Sequence, residues 1–250
     1  MVVIGSFVLA AAVKTPALAE RPPSALMIGD SLSVGSFGEV LQQHFESRYG
    51  RANVAAFASC RSAPENWLRE EPVFVTKCGY RERTPTTDIY RDSQEDRPAP
   101  PTSTPKIETL IEKYKPTIVI VQQGTNWIDP PRSDAQIREI MDRFVSAVHR
   151  GDARKLIWIG PPDGWRLSKA QSRIYRLILR SVGRGDAIID SRRLTHYELG
   201  KTGSDGIHYN RESGAAWARK VIEQYDTIVP KPTSKTQQQI KDTSWQDRHR

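Results

Sequence analysis

Between residues 25 and 229 the chain alternates short apolar runs with longer stretches of helical period. Five runs rich in β-branched or small apolar residues, at 25–29, 53–58, 117–122, 155–160 and 187–190, have the length of buried strands. Residues 32–49 carry Val34, Phe37, Leu41 and Phe45 at helical spacing and run into Gly50, a natural stop. Further helices are predicted at 105–114, 134–150, 168–182 and 211–225. The second of these shows Ile137, Ile140, Met141, Phe144, Val145 and Val148 on one side and is opened by Ser133 or Asp134 as a cap. Ile174, Leu177 and Ile178 repeat the pattern in the third. Strands that alternate with helices in this way predict one α/β domain, a parallel sheet wrapped by helices, over residues 20–229.

The rhythm breaks at 61–104, where Pro64, Pro72, Pro85, Pro98, Pro100 and Pro101 interrupt every period. A long loop insertion is expected there. It leaves the second strand, so its first part is expected to form a wall of the substrate site, and 84–104 is expected to be mobile. The two ends also fall outside the pattern. Residues 1–13 are apolar but too short to span a bilayer comfortably, and they lead to Ala17-Leu18-Ala19, so 1–19 read as a signal peptide, though one without the usual basic residue ahead of the apolar run. Residues 230–250 are polar and aperiodic, and read as a solvated disordered tail.

An export signal changes the reading of the two cysteines, Cys60 and Cys78, which are expected to form one disulfide in an oxidising compartment, either periplasmic or extracellular. Neither has a His or a second Cys at metal-ligand spacing, so no metal and no cofactor are expected. With 38% hydrophobic and 26% charged residues, the composition excludes a wholly disordered chain and an integral membrane protein. The net charge of +8, or +7 without the leader's Lys14, suits contact with an anionic envelope. Part of that charge lies in the tail, at Lys231, Lys235, Lys241, Arg248 and Arg250, and no aromatic interleaving or motif points to nucleic acid.

The candidate chemistry lies at strand ends, the edge where open α/β sheets bind ligands. The first strand runs into Gly29-Asp30-Ser31 and directly into a helix, whose N-terminal N–H groups favour a developing oxyanion at Ser31. Gly124-Thr125-Asn126 follows the third strand and offers an amide donor. Asp205-Gly206-Ile207-His208 precedes the last helix; an Asp three residues before a His in a turn can accept from Nδ1–H and leave Nε2 to take a serine proton. Asp190, His196 and Ser33 are rivals for the acid, the base and the nucleophile. Trp67, Trp127 and Trp165 follow strand ends and are candidates for a sugar- or acyl-contacting rim, with simple packing an equal reading.

Three such blocks in this order, each after its own strand, resemble the GDSL/SGNH hydrolases, over roughly residues 25–225. The resemblance implies a flavodoxin-like three-layer α/β/α sandwich with a five-stranded parallel sheet of order 2-1-3-4-5, and ester hydrolysis through an acyl-enzyme without a metal. It further implies Ser31 as nucleophile, His208 as base oriented by Asp205, and an oxyanion hole built from Ser31, Asn126 and a residue after the second strand. The family has a glycine at that last place. Here the chain reads Ala58-Ser59-Cys60-Arg61-Ser62, so Cys60 takes the position, or Arg61 if the alignment slips by one. The expected substrate is an acylated small molecule or polysaccharide, foremost an O-acetylated carbohydrate of the cell envelope. A lipase- or thioesterase-like acylhydrolase, an acyltransferase and an inactive envelope-binding module are the alternatives.

Overall fold

The computed structural model describes residues 22–69, 71–93, 97–128, 132–151, 153–166, 168–183 and 185–230. The expected signal peptide, and the expected tail beyond Pro230, lie outside these residues. Their elements, in chain order, are β1 (Ala25–Gly29), α1 (Ser31–Val34), α2 (Ser36–Tyr49), β2 (Val54–Ser59), β3 (Val75–Thr76), β4 (Gly79–Arg83), β5 (Asp88–Asp92), β6 (Thr102–Ser103), α3 (Ile107–Tyr114), β7 (Ile118–Gln122), α4 (Asp134–Arg150), β8 (Lys155–Ile159), α5 (Ser168–Ser181), β9 (Ala187–Ile189) and α6 (Arg211–Ile228).

All five residues of β1 are buried, and the strand is parallel to both neighbours, with Ala25 opposite Val54 and Ile118 and Gly29 opposite Ala58 and Gln122. A strand covered on both faces needs a continuous apolar run rather than an alternating one, which Ala-Leu-Met-Ile-Gly supplies. Successive side chains still part to opposite faces. Leu26 and Ile28 enter one core with Ile107, Phe144, Trp158 and Ile178, whereas Met27 enters the other with Phe37, Leu41, Trp217 and Val221. The sheet is thus the middle layer, with α3, α4 and α5 on one side and α2 and α6 on the other. Helix α4 begins with a reciprocal cap, in which Ser133 Oγ accepts from Gln136 N–H at 3.2 Å and Gln136 Oε1 accepts from Ser133 N–H at 3.0 Å.

Three expectations are corrected. The main sheet has seven strands in the order β5-β4-β2-β1-β7-β8-β9, not five. The five expected runs make its parallel part, and an antiparallel hairpin, β4 and β5, extends it beyond β2. Residues 61–104 therefore hold ordered strands where a loop was expected, including the short pair β3 and β6. The hairpin escaped notice because an edge strand needs little apolar surface. β4 reads Gly-Tyr-Arg-Glu-Arg and β5 alternates exposed with half-buried positions. Only Tyr80 and Ile89 reach the core, and Arg83 ties the hairpin to α2 by donating to both oxygens of Glu46 at 3.0 Å. Charged side chains on an edge also discourage pairing with a second sheet. The helix expected at 32–49 is likewise broken at Gly35, whose extended backbone (ψ −151°) separates α1 from α2.

Candidate active site

The turn from β1 into α1 is unusually tight. A Cβ on Gly29 would stand 2.2 Å from Ser33 Cβ, so only glycine lets the helix start this close to the strand. Asp30 then caps α1, its Oδ1 accepting from Leu32 N–H at 2.9 Å, and Ser31 becomes the first helical residue, half-buried at the carboxyl edge of the sheet.

The loop before α6 brings the other partners to the same edge. His208 Nε2 lies 3.0 Å from Ser31 Oγ, across 177 positions of sequence. On the far side of the ring, Nδ1 lies 2.5 Å from Asp205 Oδ2. Asp205 Oδ1 in turn accepts from the backbone N–H of Ile207 at 2.9 Å and of His208 at 2.8 Å, so one carboxylate fixes both the turn and the ring that it carries. Burial alone would raise the Asp205 carboxyl, but the hydrogen bonds from the His208 ring and from these two N–H groups outweigh it and hold the group below the usual carboxylate range. The acid is therefore ionised near neutrality and able to orient the imidazole. The arrangement faces solvent, with 50% of the His208 side chain and 44% of the Asp205 side chain exposed.

Asn126 stands in the one-turn helix Thr125–Trp127 that follows Gly124 at the carboxyl end of β7, the strand beside β1. One amide proton goes to Ser62 O at 2.9 Å, which fixes the side chain and leaves its second N–H available. Cys60 does not fill the expected donor role: its N–H is already bound to Gly79 O at 2.9 Å, continuing the pairing of β2 with β4. Arg61 is the next candidate, and its φ of 64° is a backbone conformation that glycine adopts most easily. Cys60 and Cys78 are joined as a disulfide with their Cα atoms 5.6 Å apart, tying the end of β2 to the start of β4.

No protein-family model matches the chain. Over 209 residues it is 26% identical to protein BcsX of Komagataeibacter xylinus, a match that covers 79% of this chain and 74% of that protein. Among solved structures, a peptidoglycan O-acetylesterase superposes with a TM-score of 0.53 at 9% identity, covering 83% of this chain and 91% of that one. The esterase EstA of Pseudoalteromonas sp. gives 0.53 at 14%, covering 82% and 97%, and a GDSL-like lipase of Bacteroides thetaiotaomicron gives 0.50 at 12%, covering 84% and 94%. The chain has the GDSL/SGNH hydrolase fold. At such identities the likeness is one of architecture alone.

Within this SGNH fold the three rivals stand elsewhere. Ser33 is fully buried and donates to Gln122 Oε1 at 2.8 Å. Asp190 is held by Arg192 Nε at 2.8 Å and Nη2 at 2.7 Å. His196 is 87% exposed in its side chain and lies 3.6 Å from Asp163. Of the three expected rim tryptophans, Trp67 and Trp127 are fully buried, donating to Ser62 Oγ at 3.1 Å and to Glu65 Oε2 at 2.9 Å. Trp165 alone is exposed among the described tryptophans. A groove of about 850 Å³ with mixed charge, including Glu65, Arg132 and Arg143, lies along α4 and contains neither Ser31 nor His208.

Sequence reasoning overlooked the state of Asp30. Its carboxyl is completely buried, and burial pushes it up to about 7 despite the Leu32 N–H and the nearby His208, both of which favour its charge. Oδ2 has no hydrogen-bond partner, and neither have the buried Gln122 Nε2 and Thr125 Oγ1, although both side chains stand near enough to favour the carboxylate weakly. Only burial could have signalled this, and burial is a property of the folded chain.

Proposed function

We propose that the protein is an exported serine esterase that hydrolyses O-acyl esters, foremost O-acetyl groups, on a cell-envelope carbohydrate. Ser31 Oγ attacks the ester carbonyl while His208 Nε2 takes its proton and then returns it to the departing alcohol. Asp205 holds the ring in the tautomer that leaves Nε2 free and stabilises the imidazolium. The oxyanion is held by Ser31 N–H, the Asn126 amide and Arg61 N–H. Water, activated by His208, then attacks the acyl-enzyme, releasing the acid and restoring Ser31.

The observation that carries this reading is the Ser31–His208–Asp205 relay, with 3.0 Å and 2.5 Å between its members. Its half-exposed base supports the choice of substrate. A long acyl chain gains its affinity by burial in an apolar cavity, whereas an acetyl group on a bulky carrier needs an open approach. A peptidoglycan O-acetylesterase among the structural neighbours agrees with that choice, and the Cys60–Cys78 bridge agrees with an oxidising compartment.

The test uses the chain purified without residues 1–19. The wild type is expected to react with a fluorophosphonate probe at Ser31, to release acetate from O-acetylated peptidoglycan, and to prefer p-nitrophenyl acetate to p-nitrophenyl palmitate. Ser31→Ala should lose all three activities while melting as the wild type does. Unlabelled Ser31 with no acetate released would overturn the reading in favour of a binding module, and preference for palmitate would overturn the choice of substrate.

A further inference from the structure

Trp165 stands apart from every other described tryptophan. Trp67, Trp127, Trp158 and Trp217 are all buried, whereas Trp165 is 68% exposed. An indole ordinarily hides most of its surface, so one held in water is a candidate contact surface. The loop that carries it, after β8, is stitched to the loop carrying the relay. Asp163 N–H donates to Thr195 Oγ1 at 2.9 Å, Asp163 Oδ2 accepts from Tyr197 N–H at 2.8 Å, and Asp163 O accepts from Tyr209 OH at 2.7 Å. Arg166 N–H donates to Gly206 O at 3.2 Å.

The indole edge itself rests on the relay turn. Trp165 Cε3 is 3.2 Å, and Arg166 Cγ 2.9 Å, from the place where a Cβ on Gly206 would stand, and Gly206 has φ of 82°. Gly206 lies between Asp205 and His208, where its positive φ favours glycine and the missing side chain lets the ring lie close against this turn. The result is an exposed aromatic surface beside an open relay, carried on a loop whose neighbouring residues Asp163 and Arg166 are hydrogen-bonded to the relay's own loop.

We propose that Trp165 is the stacking platform for a pyranose ring of the substrate, placing the sugar next to the one whose ester reaches Ser31. The C–H face of a pyranose is apolar and flat enough to cover an indole, while its hydroxyls stay in water, as an exposed site of this kind requires. This deepens the esterase reading and rests on it: the chain would recognise the carbohydrate carrier as well as the acyl group.

The experiment compares wild type, Trp165→Ala and Trp165→Phe on p-nitrophenyl acetate and on O-acetylated chitotetraose and O-acetylated xylotetraose. In Trp165→Ala, the ratio of kcat/KM for the better oligosaccharide to that for p-nitrophenyl acetate should fall at least tenfold, chiefly through KM. Trp165→Phe should recover most of that ratio, because a ring remains. In Ser31→Ala, the same oligosaccharide should quench tryptophan fluorescence, and the quench should vanish in the double variant with Trp165→Ala. An unchanged ratio, or equal losses on both substrate types, overturns the platform. If the wild type cleaves p-nitrophenyl acetate but neither binds nor cleaves either oligosaccharide, the platform fails and the esterase reading stands. If Ser31 neither labels nor turns over any ester, both fail.

Discussion

The backbone N–H of Cys60 donates to the carbonyl oxygen of Gly79 at 2.9 Å, and that bond leaves the N–H of the next residue, Arg61, as the candidate third donor to an oxyanion. Arg61 then holds the position with φ of 64°, a conformation that costs a residue with a Cβ about 1–2 kcal/mol. If its contribution is the N–H alone, the side chain is dispensable. Arg61→Gly should therefore lose less than tenfold in kcat/KM on p-nitrophenyl acetate. It should also gain about 0.5–1 kcal/mol in stability, the relief of strain being partly offset by a freer unfolded chain. Urea melts and steady-state kinetics check both. A hundredfold loss of rate would assign a role to the guanidinium instead.

Asp205→Asn isolates the orienting acid. The amide oxygen can keep the Ile207 and His208 N–H bonds, but an NH₂ group facing Nδ1 favours the tautomer with its proton on Nε2, so His208 cannot act as a base. kcat should fall by roughly 10³–10⁴-fold, as in triads of this type. The pH sign follows from the lowered carboxyl. Its stabilising effect is present above the unfolded carboxyl range and is lost as pH falls through the lower folded value. The wild type's advantage in Tm over Asp205→Asn should accordingly narrow in acid. A rate within tenfold of wild type at neutral pH would remove Asp205 from the relay.

Much of this site could be read from the order of residues, for an identifiable reason. Ser31, Asn126 and His208 each follow a strand or precede a helix whose apolar pattern is strong, so their placement on one edge follows from the parallel topology alone. What could not be read was settled by long-range pairing. The β4–β5 hairpin gives the core only Tyr80 and Ile89 and otherwise carries charged side chains such as Arg83 and Asp88, so no apolar period betrays it. Because the hairpin was invisible, so was the Gly79 carbonyl that occupies Cys60. The break at Gly35 and the burial of Trp67 and Trp127 are tertiary in the same sense: the same residues fit a continuous helix or an exposed rim equally well until the layers close over them.

The disulfide should support both the fold and the cradle. Cys60 and Cys78 close a loop of 18 positions that joins β2 to the edge hairpin, directly beside Arg61. Chain-entropy reasoning gives about 3 kcal/mol for a loop of that size. Cys60→Ser with Cys78→Ser should lose about that much in urea unfolding, and its kcat/KM on p-nitrophenyl acetate should fall as the Arg61 turn loosens. Dithiothreitol should reproduce the effect in the wild type and leave the double variant unchanged. Equal urea midpoints for the two proteins without reductant would show that the bridge contributes little.

Asp30 predicts an unusual pH dependence of stability. Complete burial pushes its folded carboxyl up to about 7 from the ordinary aspartate value of 3.8, so folding favours the neutral form. The sign is opposite to that of Asp205: Asp30 contributes its full stabilisation below about pH 4, and that contribution is lost as pH rises through about 7. A shift of this size corresponds to about 4 kcal/mol between those limits. Asp30→Asn keeps an oxygen for the Leu32 N–H and cannot ionise, so it should be close to wild type in stability at pH 4 and clearly more stable at pH 8. Chemical denaturation of both proteins across that range reads the difference directly. Parallel curves would mean that the Asp30 carboxylate is tolerated in its buried place, with Gln122 and Thr125 turning to meet it.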